Sequence, residues 1–246
     1  WVLEKIYYFK DSMLSSFDSF LPFRNSTIIR AMVLGDKGAL SKRDRETFAK
    51  SGTAHLMAVS GLHIGFLAFI SYWIIRKITA LFMVRFFIEK ALSGWMIPIS
   101  ALLSIIPVLF YMVLVGWKAS SMRAGIMIVV YLVAVSLSRQ KEIYRSILIA
   151  GCIILFWKPL SYQDIGFQLS FIAVLTIIFC YQELIRKKDT INDLPVKKNK
   201  IIQTLSGNLA INLFAVLGTA PLILYYFNRV TPYAFFANIL AVPLAA

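Results

Sequence analysis

The feature that most constrains this chain is a succession of apolar runs, most of them long enough to cross a bilayer. They cover about 54–75, 95–116, 120–138, 143–157, 166–182, 201–227 and 232–246. A membrane helix needs roughly 20 apolar residues. The first, second, third and sixth runs meet that length, the fourth and fifth are short, and the seventh stops at Ala246. Composition agrees: 59% of the residues are apolar and 15% charged, against about 45–50% and about 25% in soluble domains. A soluble core of this size would leave too many apolar side chains in water. An ordinary soluble enzyme, a disordered chain and a fibre are excluded. The expected fold class is all-α: a polytopic membrane helical bundle of about seven spans, some short or broken, with interfacial amphipathic helices besides. The run 78–92 holds Arg85, Glu89 and Lys90 and reads as such an interfacial helix, with a tilted span as the alternative.

Residues 1–53 carry charges too often to be a clean span and form a separate lead-in segment, with the transmembrane domain over 54–246. Ser41 followed by Asp44 reads as an N-cap with a carboxylate in the first turn, opening a short surface helix over 42–50. The chain opens on Trp1 and stops inside an apolar run, so it reads as a piece of a longer protein.

The net charge is +14, from 26 Lys and Arg against 12 Asp and Glu. With seven spans, the loops 76–94, 139–145 and 183–200 hold 13 Lys and Arg, whereas the opposite short loops hold only Lys118, Arg123, Lys158 and Arg229. The positive-inside rule places the first set in the cytoplasm and residues 1–53 outside it. Most of the excess is therefore an orientation signal, and by itself it requires no polyanionic partner.

Within the first run, at about 100° per residue, Ala54, Ala58, Gly61, Gly65 and Ala68 form one stripe of the smallest residues, suited to close helix packing. His55, Ser60 and His63 fall on the opposite arc. Polar groups in hydrocarbon face protein or a water-filled path. Ser60 has the simpler alternative of bonding back to its own helix, and His55 that of an interfacial residue. Asp164 stands where it would N-cap the fifth run, and Gln168 lies one turn deeper on the same face, as a path group or as glue between helices. Arg123 is a snorkelling anchor or a phosphate contact at a mouth. Asn208, Asn212 and Pro221 suit interhelical bonding and a kink. Tyr225, Tyr226 and Phe227, with the aromatics before Asn238, form an interface belt more readily than a base-stacking platform.

No metal site or cofactor is expected. Cys152 and Cys180 lie alone in apolar runs, and no Walker loop, HExxH or dinucleotide fingerprint occurs. Ser60 and His63, one turn apart, raise an intramembrane serine hydrolase, but no third orienting carboxylate accompanies them. A small-solute or ion transporter would need charge pairs inside the spans, which are almost wanting. The chain is not expected to be an enzyme.

The blocks Leu34-Gly35-Asp36-Lys37-Gly38-Ala39-Leu40-Ser41 and His55-Leu56-Met57-Ala58-Val59-Ser60-Gly61-Leu62-His63-Ile64-Gly65 closely resemble the ComEC competence family. Gly116 to Gly125, Asp164 to Phe171 and Ala237-Asn238 to Pro243-Leu244 agree in the same order. The resemblance covers most of 28–246. Ile165 stands where the family usually has proline, which bears on the turn at Asp164. The resemblance implies a channel in the bacterial inner membrane that passes single-stranded DNA during natural transformation. It also implies other DNA-uptake components as partners, and an OB-like domain and a metallo-β-lactamase-like nuclease domain elsewhere in the parent chain. It gives weight to His55, Ser60, Gly61, His63, Gly65, Arg123, Asp164, Phe167, Gln168, Ser170 and Asn238. By their chemistry, His55, Ser60, His63, Arg123, Asp164, Gln168, Ser170 and Asn238 are assigned to the DNA path. Gly61, Gly65 and Phe167 are assigned to helix packing. Lys37, Lys42, Arg43, Arg45 and Lys50 form an outer approach for phosphates or a solvated face.

Overall fold

A computed structural model describes residues 2–36, 38–50, 61–89, 93–139, 141–192 and 200–228. Among these the protein is all-α, with helices long and apolar enough to cross a bilayer. The elements are α1 (Val2–Phe20), α2 (Phe23–Val33), α3 (Lys42–Lys50), α4 (Gly61–Phe86), α5 (Met96–Leu103), α6 (Ile105–Val115), α7 (Ala119–Ser136), α8 (Ile143–Trp157), a 3-10 turn (Pro159–Gln163), α9 (Ile165–Asn192) and α10 (Lys200–Phe227). They form two compact units, one holding α1 to α8 and the other α9 and α10. Four stretches reach span length and hydropathy: Gly61–Phe86, Met96–Val115, Ala119–Ser136 and Ile165–Glu183. Ile143–Trp157 is a shorter apolar helix, and Leu213–Phe227 is the apolar part of α10 whose side chains are described. The seventh apolar run lies outside the described residues.

In the first unit α4 packs with α5, α6 and α7. Ile64, Ala68, Val108, Met112 and Val115 form the buried centre, flanked by Met122, Ala124 and Ile128. Ala101, Leu132 and Val135 continue it, with Tyr72 packed alongside. The first residues of α4 meet the first turns of α7, and Tyr72 meets its last turns, so the two helices run parallel. α8 lies on α7 through Ile147, Ala150, Gly151 and Ile154, which are buried at a helical spacing. Many large apolar side chains point outward: Leu81 is 75% exposed and Phe156 91%. A hydrocarbon surround makes such a surface favourable, because nothing apolar is then left in water.

The span 95–116 is interrupted. Pro107 has no N–H to give the carbonyl of Leu103, so the helix breaks at Ser104 into α5 and α6. Ser100 and Ser104 turn their hydroxyls onto the carbonyls of Met96 and Ser100, both at 2.6 Å, which keeps polar groups satisfied inside the span. At its far end α6 closes on Gly116 (φ 83°) and Trp117 (φ 53°). The amide of Trp117 donates to Met112 and that of Gly116 to Val113, the pairing of a left-handed helix stop.

The segment expected as a separate interfacial helix over 78–92 is, through Phe86, the continuation of the first span. No glycine or proline lies between Gly65 and Phe86 to stop the helix. Twenty-six residues at 1.5 Å each make about 39 Å, longer than the hydrocarbon core of about 30 Å. With Gly61 near one boundary, Arg76 and Lys77 come within snorkelling reach of the other, and Arg85 stands at headgroup level. The Lys77 ammonium lies 3.7 Å from the Trp73 ring centroid, a pairing suited to a membrane interface. The same end carries the α7–α8 loop, where Glu142 pairs with Arg145 at 2.9 Å and Arg139 at 3.8 Å.

Candidate functional site

The opposite end of the first unit brings together the N-terminal turns of α4 and α7, the C-terminus of α6 and the segment 33–41. A helical hairpin, α1 on α2, abuts α6, with Phe9 against Phe110 at a centroid distance of 6.2 Å. The chain leaving α2 is held from both sides. The Tyr111 hydroxyl donates to the carbonyl of Val33 at 2.7 Å. The Lys118 ammonium donates to the carbonyl of Gly35. Leu34 between them is fully buried. Two blocks that are separate in sequence, 34–41 and 116–125, therefore meet in space.

Charges pin the same segment. Arg30 reaches Asp18 and Asp36, each at 2.7 Å, and Ser26 donates to Asp18. Asp36 also accepts from the Gly38 amide at 3.1 Å. The Ser41 hydroxyl accepts from the Asp44 amide at 3.0 Å and donates to its carboxylate at 2.7 Å, so it caps α3 as the sequence predicts. Arg24 adds a two-nitrogen contact to Asp44 at 2.8 and 3.0 Å. These bonds hold the carboxyls below the usual carboxylate value: Asp18 through Ser26 and then Arg30, Asp36 through Arg30 and then Gly38, and Asp44 through Ser41 and then Arg24. The partnership with Asp36 raises Arg30 further. An open cleft of about 550 Å³ lies among Lys10, Leu14, Gly35, Asp36 and Lys118. A second, of about 390 Å³, lies among residues that include Arg24, Ser41, Arg43 and Asp44. On α3 the side chains of Lys42, Arg43 and Arg45 are exposed.

His63 and Arg123 are both half-buried, in the first turns of α4 and the second of α7, and each engages other residues of the chain. Their helices touch there: a Cβ placed on Gly61 would stand 3.3 Å from the Cβ of Ala124. At Gly65 a Cβ would meet no described atom within 4 Å. Among the described glycines of this unit the tightest approach is at Gly125 instead, where a Cβ would overlap the Met112 side chain, with its Cε at 2.7 Å. His55, Ser60 and Asn238 lie outside the described residues, as does Lys37.

The remaining site candidates belong to the second unit. Asp164 caps α9, its carboxylate accepting from the Gly166 amide at 3.1 Å. The Ser170 hydroxyl bonds back to Gly166 at 2.7 Å. Phe167 packs on Phe171 with ring centroids 4.4 Å apart. Gln168 uses both ends of its amide: it donates to the Tyr162 carbonyl at 2.9 Å and accepts from the Tyr226 hydroxyl at 3.1 Å. It thus ties the 3-10 turn and α9 to the end of α10. Tyr111, Lys118 and Tyr226 escape sequence reasoning as site residues because their partners lie far along the chain, and Tyr162 because it takes part through its backbone carbonyl. The one signal was Lys118, which sits inside a recognisable block. Among the described residues no three His, Cys, Asp or Glu side chains gather as a metal site.

Comparison with known proteins decides the lineage. The family model described as "Competence protein" matches residues 32–246. The chain belongs to the competence protein family. It is 26% identical over 239 residues to ComE operon protein 3 of Bacillus subtilis, covering 97% of this chain and 27% of that protein. It is 26% identical over 219 residues to recombination protein 2 of Haemophilus influenzae, covering 88% of this chain and 26% of the relative. It is also 26% identical over 223 residues to the uncharacterized protein YcaI of Escherichia coli, covering 91% of this chain and 28% of that one. This competence-family chain thus spans about a quarter of the length of the curated relatives it matches. No solved structure matches it.

Proposed function

We propose that this chain is the membrane-embedded part of a DNA-uptake protein and passes single-stranded DNA across the bacterial inner membrane during natural transformation. The observation that carries the reading is the placement of His63 and Arg123. Both are half-buried ionisable side chains, near the same end of two touching, parallel apolar helices, within a competence-family match over 32–246. Ionisable groups inside apolar helices are costly and mark paths. A guanidinium suits a passing phosphate, and scattered polar groups bind weakly enough to release a strand. Lys42, Arg43 and Arg45 on α3 supply a basic approach. In this reading the end bearing Arg139, Lys141 and Arg145 faces the cytoplasm, and α1–α3 lie outside it. Partners are single-stranded DNA, other uptake components, and any OB-like and nuclease domains of the parent protein.

The test is transformation with the full-length parent carrying His63→Ala or Arg123→Gln. DNA internalisation is expected to fall about tenfold or more at unchanged protein level, the size of one lost charge-assisted contact. Wild-type uptake by both variants would remove these residues from the path.

A further inference from the structure

Two apolar grooves lie along the α4–α5–α6 seam of the first unit. One, of about 400 Å³, is lined by residues that include Phe82, Met83, Phe87 and Ile99. The other, of about 340 Å³, is lined by residues that include Ile75, Ile106 and Pro107. Both contain Ile78, Thr79 and Leu103, so they adjoin along this seam and are treated together as one groove. The break at Ser104, three residues before Pro107, lies beside this seam. The walls stay apolar, because Thr79 turns its hydroxyl onto the carbonyl of Ile75 at 2.7 Å. Ile78 is 60% exposed and Ile106 64%, so the groove opens outward from the bundle.

Its position fits one leaflet. From Ile75 to Phe87 along α4 is about 18 Å at 1.5 Å per residue, against about 15 Å for half of the hydrocarbon core. One end, at Pro107, lies near the middle of the span Met96–Val115. The other end lies where α4 reaches headgroup level. There Arg85 continues the ridge of Ile78 and Phe82 at helical spacing, its guanidinium 5.4 Å from the Phe86 ring centroid. Glu89, one turn on, is the nearest acid in sequence. Arg76 and Lys77, both exposed, follow Ile75 at the other end of the groove and reach the same membrane face by snorkelling.

We infer that this groove is a binding site for one acidic glycerophospholipid. An acyl chain lies along Ile78, Leu103 and Ile106, and the phosphate meets Arg85. An aliphatic chain suits an apolar, outward-facing groove within one leaflet. A guanidinium at the headgroup level of a basic membrane face selects an anionic head. The inference requires that the helices span a bilayer and is independent of what the protein transports.

The test is native mass spectrometry of the full chain released from nanodiscs of mixed phosphatidylethanolamine and phosphatidylglycerol. One phosphatidylglycerol per chain is expected to be retained in preference to phosphatidylethanolamine. Arg85→Gln is expected to lower that retention about tenfold, as for one lost charge-assisted contact. Ile78→Trp and Ile106→Trp, both at exposed positions, are expected to fill the slot and abolish retention of either lipid. Retention that survives both tryptophan variants means surface adsorption and overturns the site. Loss with tryptophan but no change with Arg85→Gln overturns the acidic-head assignment.

Discussion

Lys118, at the turn into α7, donates its ammonium hydrogen to the carbonyl oxygen of Gly35, which lies 83 positions earlier. With the Tyr111 contact to Val33 it fastens the end of α2 to the α6–α7 corner. A polar bond to a backbone carbonyl is worth about 1 kcal/mol when both groups are neutral, and about 1.5–3 kcal/mol when one is charged. Tyr111→Phe should therefore lower the unfolding midpoint in detergent by a few degrees, and Lys118→Met by more. Equal midpoints for wild type and both variants would show that the fastening contributes nothing.

The glycines of the bundle are not equivalent. Gly125→Leu must displace Met112 from the α6–α7 contact, an overpacking that costs about 1–3 kcal/mol. Gly65→Ala meets open space among the described residues and adds a better helix former, worth about 1 kcal/mol in the opposite direction. Thermal unfolding of the two variants side by side checks the contrast. A larger loss at Gly65 than at Gly125 would contradict the packing described.

Acid should loosen the N-terminal hairpin before the spans. Asp18, Asp36 and Asp44 titrate below their ordinary value of 3.8 in the folded chain. Depressed carboxylates contribute stability that is fully present above the unfolded value and is lost as the pH falls through the folded one. Protection factors of α1–α3 amides, taken relative to the intrinsic exchange rate at each pH, should therefore be high at neutral pH and fall as the pH drops below about 4. In Asp36→Asn that acid-induced fall should be smaller. Protection factors that are flat through this range would refute the ion-pair account.

In the second unit Gln168 and Tyr226 form a pair across α9 and α10. A double-mutant cycle of Gln168→Ala with Tyr226→Phe should give a coupling near the average of about 0.6 kcal/mol for such bonds in membranes. Gly218→Val should cost more, since a Cβ there would come 2.8 Å from the Thr176 Cγ2. Strict additivity of the Gln168 and Tyr226 changes would mean that the bond is not made in the bilayer.

Most spans were legible because apolar length is a local property, although the fifth run, read as short, reaches span length as Ile165–Glu183; the cap of α3, whose Ser41 and Asp44 stand three residues apart, was legible too. The continuation of α4 to Phe86 was not legible, since Arg76 and Lys77 look like a loop until the side chains are allowed to snorkel. The role of Gln168 was written in the sequence only as two alternatives. Its partner Tyr226 lies 58 positions away, and no periodicity encodes such a distance. For the same reason the union of segment 34–41 with Lys118 was invisible, although both blocks stood out individually.

The break at Pro107 has a mechanical meaning. A span made of two half-helices is a pair of levers that share a pivot. The lever formed by α6 carries Tyr111 and, just beyond its tip, Lys118, and both are tied to the chain leaving α2. Any swing of α6 that widens this end of the bundle must therefore drag the N-terminal hairpin along or release it from its two anchors, so the hairpin is mechanically coupled to that lever.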